Sequence, residues 1–257
     1  MTAPVLEVTG VTKRFAGVLA LADVNLTVQA GELVGIIGPN GSGKTTLFNC
    51  VAGSVKPDRG RIALDGREIT GEPPHAAARR GLGRTFQAAR VFPRLTVREH
   101  LLAAFQEFQP DGFAARLLRL PAAARAEATA DRRARTLLDW LGLADAAERA
   151  AASLSYGQRK LLAFAMALVP APRILMLDEP MAGVNPVLVE RLAGHIRELH
   201  AEGRTVVLIE HNLTVVMTLC QRLMVLDHGQ KIAEGPPEVI KTDAQVIDAY
   251  LGGVDDD

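Results

Sequence analysis

Gly38-Pro39-Asn40-Gly41-Ser42-Gly43-Lys44-Thr45 is the stretch that decides how this chain is read. Its glycines let successive backbone N–H groups turn inward around a chain of phosphates, where a Cβ would obstruct the approach. Lys44 supplies a point charge for the β- and γ-phosphates, and the Thr45 hydroxyl suits a Mg²⁺ ion bound to the same anion. Leu33 to Ile37, just upstream, is an apolar run of strand type. Thr46 to Ala52, just downstream, is compatible with a helix whose positive N-terminal end faces the phosphates. Strand, glycine loop and helix in this order predict a phosphate-binding loop, with Gly38, Pro39, Asn40, Gly41, Ser42, Gly43, Lys44, Thr45 and Thr46 as the nucleotide contact.

Around this loop, the first third of the chain reads as short strands separated by turns. Val5 to Thr9, Leu21 to Val28 and Glu32 to Gly38 are β-rich, and Arg61 to Leu64 runs into the turn Asp65-Gly66. Between about Thr96 and Ser153 Ala and Arg dominate. There Leu137, Leu138, Leu141 and Leu143 recur around Trp140 at near-helical spacing, which predicts a helical region with Gln109-Pro110-Asp111-Gly112 as an internal turn. Beyond Ser153 the alternation of strand and helix returns. Ile174 to Leu177 and Val206 to Ile209 are continuous apolar runs, as parallel strands covered on both faces require, and Pro186 to His200 predicts a helix between them. Leu223 to Leu226, His228-Gly229 and Lys231 to Glu234 predict a closing antiparallel hairpin, and Asp255 to Asp257 reads as a frayed tail.

Composition narrows the function. The 257 residues carry 29 basic and 29 acidic side chains, which cancel and argue against a polybasic binder of nucleic acid or lipid. No nucleic-acid partner is expected. At 48% hydrophobic and 23% charged, the chain has apolar residues enough for a sizeable core. The longest apolar stretch, Leu161 to Pro172, falls short of the roughly 20 residues that span a bilayer. No basic segment followed by an apolar one opens the chain, whose first lysine is Lys13, so no secretory leader is expected. Cys50 and Cys220 suggest no disulfide framework and sit in no metal-ligand cluster. His75, His100, His195, His200 and His228 read as surface or packing residues.

Two further constellations carry chemistry. Ile174-Leu175-Met176-Leu177-Asp178-Glu179 is an apolar strand ending in adjacent carboxylates, a costly arrangement unless a cation neutralises them. Asp178 is the expected partner of the Mg²⁺ held by Thr45, which leaves Glu179 to polarise an attacking water. In Leu154-Ser155-Tyr156-Gly157-Gln158, Ser155 and Gln158 have capping-box spacing. The Ser155 hydroxyl, the Gly157 N–H and the helix dipole also make a second anion site. Two phosphate-directed helix starts with one nucleotide loop predict a nucleotide sandwiched between two chains.

The order of phosphate loop, Gln87, Leu-Ser-Tyr-Gly-Gln, Asp178-Glu179 and His211 resembles the nucleotide-binding subunit of ATP-binding-cassette transporters, over approximately Leu6 to Gly235. The resemblance implies an α/β P-loop NTPase fold in a single nucleotide-binding domain over residues 1–257. Residues 1–87 and 159–235 would form a RecA-like core with an antiparallel β-subdomain, 88–158 an inserted α-helical signature subdomain, and 236–257 a tail. It implies that Phe15 stacks on adenine and that Gln87 joins Mg²⁺ and the attacking water to a membrane subunit, with Ala88 to Leu95 lining that contact. Of the signature Ser155, Tyr156, Gly157 and Gln158, acting in trans, Ser155, Gly157 and Gln158 would touch the γ-phosphate bound by the opposite protomer, and His211 would contact the γ-phosphate and help hold the water. Two residues depart from the common pattern: Tyr156 stands where a second Gly is frequent, with its side chain expected to tilt away from phosphate, and Asn185 replaces an Asp that serves communication across the dimer.

Softer segments narrow the resemblance. Gly183-Val184-Asn185-Pro186, Gly83-Arg84-Thr85-Phe86-Gln87, Val91-Phe92-Pro93, Leu95-Thr96-Val97-Arg98-Glu99, Ile209-Glu210-His211-Asn212-Leu213, Ala233-Glu234-Gly235 and Ala249-Tyr250-Leu251-Gly252 look like those of branched-chain (hydrophobic) amino acid importer ATPases. Such a protein would be an ATP-hydrolysing motor for import of branched-chain or related small amino acids, using ATP and Mg²⁺. Its partners would be two transmembrane permease subunits, a second ATP-binding subunit in a homo- or heterodimer and, indirectly, a periplasmic or extracellular substrate-binding protein. Its place would be the cytoplasmic face of the inner membrane. The ATPase of a lipopolysaccharide-type exporter and a soluble, non-transport ABC ATPase share much of this pattern and stay open as alternatives.

Overall fold

Backbone alternation in the computed structural model explains why the strand runs look as they do. The structure describes residues 4–85, 91–106 and 121–251. Gln87, the stretch from Ala88 to Arg90, the turn at residues 109–112 and the acidic tail lie outside the described residues. In chain order the strands are β1 (Leu6–Phe15), β2 (Val18–Val28), β3 (Leu33–Ile37), β4 (Arg59–Leu64), β5 (Arg67–Glu68), β6 (Leu82–Arg84), β7 (Ile174–Asp178), β8 (Thr205–Ile209), β9 (Arg222–Asp227) and β10 (Gln230–Gly235). The helices are α1 (Lys44–Val51), α2 (Pro74–Arg79), α3 (Val97–Gln106), α4 (Pro121–Trp140), α5 (Tyr156–Leu168), α6 (Pro186–Ala201), α7 (Leu213–Leu219), α8 (Pro237–Ile240) and α9 (Ala244–Leu251).

A six-stranded sheet in the order β10-β9-β3-β8-β7-β6 is parallel throughout, except for the antiparallel edge strand β10. Side chains alternate across it. Val34, Ile36, Ile174, Met176, Val207, Ile209, Met224 and Leu226 face a core shared with α1 and the second sheet. Leu33, Ile37, Leu175, Leu177, Val206, Leu208, Leu223 and Val225 enter a core built with α3 to α7. Both faces being covered, the interiors of β3, β7, β8 and β9 carry no charged residue, and the period of two vanishes from the sequence.

The second sheet, β2-β1-β4-β5, is antiparallel and lies over the α1 face. Its first hairpin is longer than the sequence predicts, with β1 continuing past Thr9 to Phe15. Register shifts between Val8 and Val11 and between Val11 and Lys13 break the alternation, and Gly10 takes a φ of 62° within them. Bulges of this kind keep the pairing but hide the strand from a pattern search. The helical region of residues 96–153 contains α3, α4 and two short 3₁₀ turns, at Ala144–Ala146 and Ala151–Ser153.

Candidate functional site

The phosphate loop is shaped by what stands directly behind it. β3 ends at Ile37, and α1 begins at Lys44 from a left-handed N-cap at Gly43. Gly38 has a φ of 146°, and a Cβ there would lie 1.9 Å from the Leu226 carbonyl oxygen on β9, so only glycine lets the loop leave the sheet at this point. The Lys44 ammonium is buried and donates to the Gly38 carbonyl at 2.8 Å, the Pro39 carbonyl at 2.7 Å and Ser42 Oγ at 3.2 Å. Burial pulls its pKa down, against the charges of Glu179 and Asp178.

Two parallel strands deliver the remaining groups. Asp178 pairs with Ile209 across β7 and β8, so the chain emerging from each strand end places Glu179 beside Glu210 and His211. Glu179 has a φ of 47°, its N–H donates to the Ile209 carbonyl at 3.0 Å, and His211 Nε2 lies 2.5 Å from its Oε1. A cavity of about 460 Å³ is walled by Asn40 to Thr46, Ala20 of β2, Glu179 and His211. Tertiary structure thus unites a loop near residue 40 with side chains near 180 and 211.

Asp178 sits behind this cavity. Its Oδ2 accepts from Arg84 Nη2 at 3.0 Å, and its N–H donates to Thr85 Oγ1 at 3.0 Å. Burial raises its pKa, partly countered by the Arg84 guanidinium. Oδ1 is buried and has no hydrogen-bond partner among the described residues. A buried carboxylate oxygen with spare lone pairs, whose charge is felt by Lys44 of the loop, fits a hard divalent cation. Gln87, the third expected ligand, lies outside the described residues.

The signature segment is separate from this cavity: none of Ser155, Tyr156, Gly157 and Gln158 lines it. Ser155 caps α5, its Oγ accepting from Gln158 N–H at 3.2 Å while Gln158 Oε1 accepts from Ser155 N–H at 3.0 Å. The capping box is complete. Tyr156 turns toward the loop after β7 and donates to the Ala182 carbonyl at 3.3 Å. Asn185 caps α6, its Oδ1 accepting from Leu188 N–H at 2.9 Å ahead of Pro186. Phe15, 45% exposed at the end of the β1–β2 hairpin, stands 5.3 Å from the Lys13 ammonium and lies outside the core.

Three buried charged residues enter the site with no role predicted for them there. Arg84 pairs with Asp178. Glu210 accepts from Met181 N–H at 2.7 Å and His211 N–H at 3.2 Å, with burial raising its pKa against those bonds. Lys160 donates to the Glu179 carbonyl at 2.9 Å. The available signal is a charge set directly against an apolar run, before it at Lys160-Leu161-Leu162 and after it at Ile209-Glu210.

Fold and site together define a P-loop nucleotide-binding protein of the α/β class, with a carboxylate and a histidine aimed at its phosphate loop. The chain belongs to the ABC transporter family of ATP-binding cassettes, whose model matches residues 21–182. Residues 230–256 also match the model described as branched-chain amino acid ATP-binding cassette transporter. Over 98% of this chain and 99% of the relative, it is 45% identical to the high-affinity branched-chain amino acid transport ATP-binding protein BraF of Pseudomonas aeruginosa. It is 44% identical, with the same coverage, to the corresponding protein LivG of Salmonella typhimurium. A crystal structure of the ADP conformation of an ATP-binding cassette of an ABC transporter superposes with a TM-score of 0.83 at 34% identity, covering 98% of this chain and 100% of that one. As a member of this family, the chain is an ATPase whose hydrolysis is coupled to transport.

Proposed function

We propose that the chain is the motor subunit of an importer for branched-chain or related small amino acids. The observation that carries its chemistry is the meeting of Glu179 and His211 in one cavity with the phosphate loop. The import reading is supported by the match at residues 230–256 and by the names of BraF and LivG, which favour it over lipopolysaccharide export or a non-transport role.

In this reading the loop amides and Lys44 hold the β- and γ-phosphates of ATP. Thr45 and Asp178, with Gln87, would hold Mg²⁺, which supplies neutralisation of phosphate charge. Glu179 orients the attacking water and accepts its proton, and His211 holds the Glu179 carboxylate while facing the γ-phosphate. Phe15 stacks on adenine. The phosphate loop of one chain faces Ser155, Tyr156, Gly157 and Gln158 of a second ATP-binding subunit, with Asn185 setting the loop between them. Separation of the signature from the cavity within one chain supports that two-chain site. Residues 1–87 and 159–235 serve as the motor core, 88–158 as the arm bearing the signature, and 236–257 as a tail.

Partners in this scheme are two permease subunits, with a substrate-binding protein acting through them, and the chain works at the cytoplasmic face of the inner membrane. No described helix is long and apolar enough to cross a membrane, which agrees with attachment through permeases. The test is Glu179→Gln. It should bind ATP as the parent does, lose hydrolysis by at least about 10²-fold and accumulate a closed ATP-bound dimer in size-exclusion chromatography. Near-normal phosphate release would overturn the role given to Glu179.

A further inference from the structure

One face of the signature helix grips the segment that carries the glutamate of its own chain. Tyr156 and Lys160 are four residues apart on α5 and therefore share a face. Lys160 Nζ donates to the Glu179 carbonyl at 2.9 Å, and Tyr156 Oη donates to the Ala182 carbonyl at 3.3 Å. The ammonium lies 5.8 Å from the Tyr156 ring centroid, within cation–π reach. The Tyr156 ring edge stands 3.4 Å from where a Cβ on Gly183 would be, so the ring lies directly across this loop.

Glu179 needs such a grip. A φ of 47° is left-handed, which an L-residue with a long side chain holds only when its surroundings fix it. Its N–H is tied to Ile209 and its carboxylate to His211, and the Lys160 bond ties the carbonyl between them. Lys160 is only 6% exposed. Burying an ammonium is costly, and a Leu or Met would pack on this helix without that cost. The charge also acts on the neighbouring carboxylate, opposing the effect of burial on Asp178.

We propose that Lys160 is a positioning residue for hydrolysis: by holding the Glu179 carbonyl from the signature helix, it sets the direction of the carboxylate. This rests on Glu179 being the group that orients water and on the two-chain site. Ser155 and Gly157 lie at the start of the same helix and, in that site, touch nucleotide held by the opposite chain. A displacement of the helix start on engaging that phosphate is carried along α5 to Lys160, and from there to the glutamate of the other site. Tyr156, on Ala182, is the second strut of the same link.

The experiment compares Lys160→Met, Lys160→Gln, Lys160→Arg and Glu179→Gln in the full chain by steady-state Mg-ATP hydrolysis. Lys160→Met should lower kcat about tenfold with KM for ATP within about twofold of the parent, and Lys160→Arg should recover most of that loss. Lys160→Gln, neutral but still a donor, should show the same split with a smaller loss, and it replaces Met in the comparison if thermal unfolding shows that variant destabilised. A kcat for Lys160→Met or Lys160→Gln equal to the parent's, a KM that rises in step with the loss, or no recovery with Arg overturns the proposal. If Glu179→Gln is inactive while the Lys160 variants are normal, the positioning role alone falls. If Glu179→Gln hydrolyses ATP normally, the role of Glu179 falls, and with it this inference.

Discussion

His211 Nε2 and Glu179 Oε1 lie 2.5 Å apart, although 32 residues separate them in the chain. The parallel pairing of β7 with β8 makes the contact, because Asp178 and Ile209 are register partners and the next residues of each strand leave the sheet side by side. Lys160 and Glu210 fix the turn after β7, by bonding the Glu179 carbonyl and the Met181 N–H.

Two residues this closely joined should act as one unit in hydrolysis. His211→Ala and Glu179→Gln are each expected to lower kcat by about 10²-fold or more, with ATP binding kept. The double variant should fall within about threefold of the weaker single variant rather than showing the product of the two losses. Phosphate-release kinetics on the four proteins check this, and multiplicative losses would mean that the residues act independently.

Removing one charge should separate nucleotide binding from its metal dependence. Asp178→Asn keeps the shape of the side chain but weakens its hold on a divalent cation. The parent should bind ATP more tightly with Mg²⁺ than with EDTA, and the variant should lose most of that difference while its affinity in EDTA changes little. Fluorescence titration with a labelled ATP reads both. An undiminished Mg²⁺ effect in the variant would exclude Asp178 as a ligand.

The joint between α4 and α6 has a close fit that mutation should expose. Gly142 has a φ of 57°, and a Cβ there would lie 1.9 Å from Arg191 Nη2. That same nitrogen donates to the Leu141 carbonyl at 2.5 Å. Gly142→Ala should cost about 1–3 kcal/mol, from backbone strain and from displacing the guanidinium. Arg191→Ala removes the obstacle and the bond together, so the double variant should be less destabilised than the sum of the singles. Chemical denaturation of the three variants measures the difference.

His195 should make stability depend on pH. It is buried against Trp140, ring centroids 4.2 Å apart, and neither ring nitrogen has a hydrogen-bond partner among the described residues. Glu198, on the same helix, is 3.6 Å from Nδ1, too far for a bond, and its Oε2 instead accepts from Trp140 Nε1 at 2.6 Å. Burial lowers the His195 pKa, with Glu198 opposing and Arg191 adding to the shift. The unfolded chain takes up a proton near the ordinary value of about 6.5, before the folded chain does. Between the folded value and about 6.5 the unfolded state therefore binds more protons, so the stability is complete above that window and falls as the pH drops through it. His195→Phe, which keeps a ring on Trp140, should flatten this limb in denaturation curves taken from about pH 7.5 to 5.

Much of the phosphate site is legible in the order of residues. The loop from Gly38 to Thr45 can be read because its glycines, lysine and threonine each meet a local requirement of a bound phosphate chain. Ile174 to Glu179 is legible because an apolar run ending in carboxylates is rare without a reason. The long β1–β2 hairpin is not, since register shifts around Val11 break its alternation. β6, only Leu82 to Arg84, is hidden because so short a strand has no period of its own and exists through its pairing with β7. Tyr156 can be expected to turn from phosphate, but nothing local points to its partner, the Ala182 carbonyl.

By itself, the sequence determined which chemical groups this protein possesses and the order in which strands and helices present them. Those are local matters: dihedral freedom, capping, periodicity and the spacing of charges. Tertiary structure alone decided that His211 rests on Glu179, that Arg84 occupies one oxygen of Asp178 and leaves the other, and that Lys160 ties the signature helix to the glutamate. Each of these depends on which strands become neighbours and in what register. That choice is made by burial of both sheet faces at once, a property of the whole chain rather than of any segment.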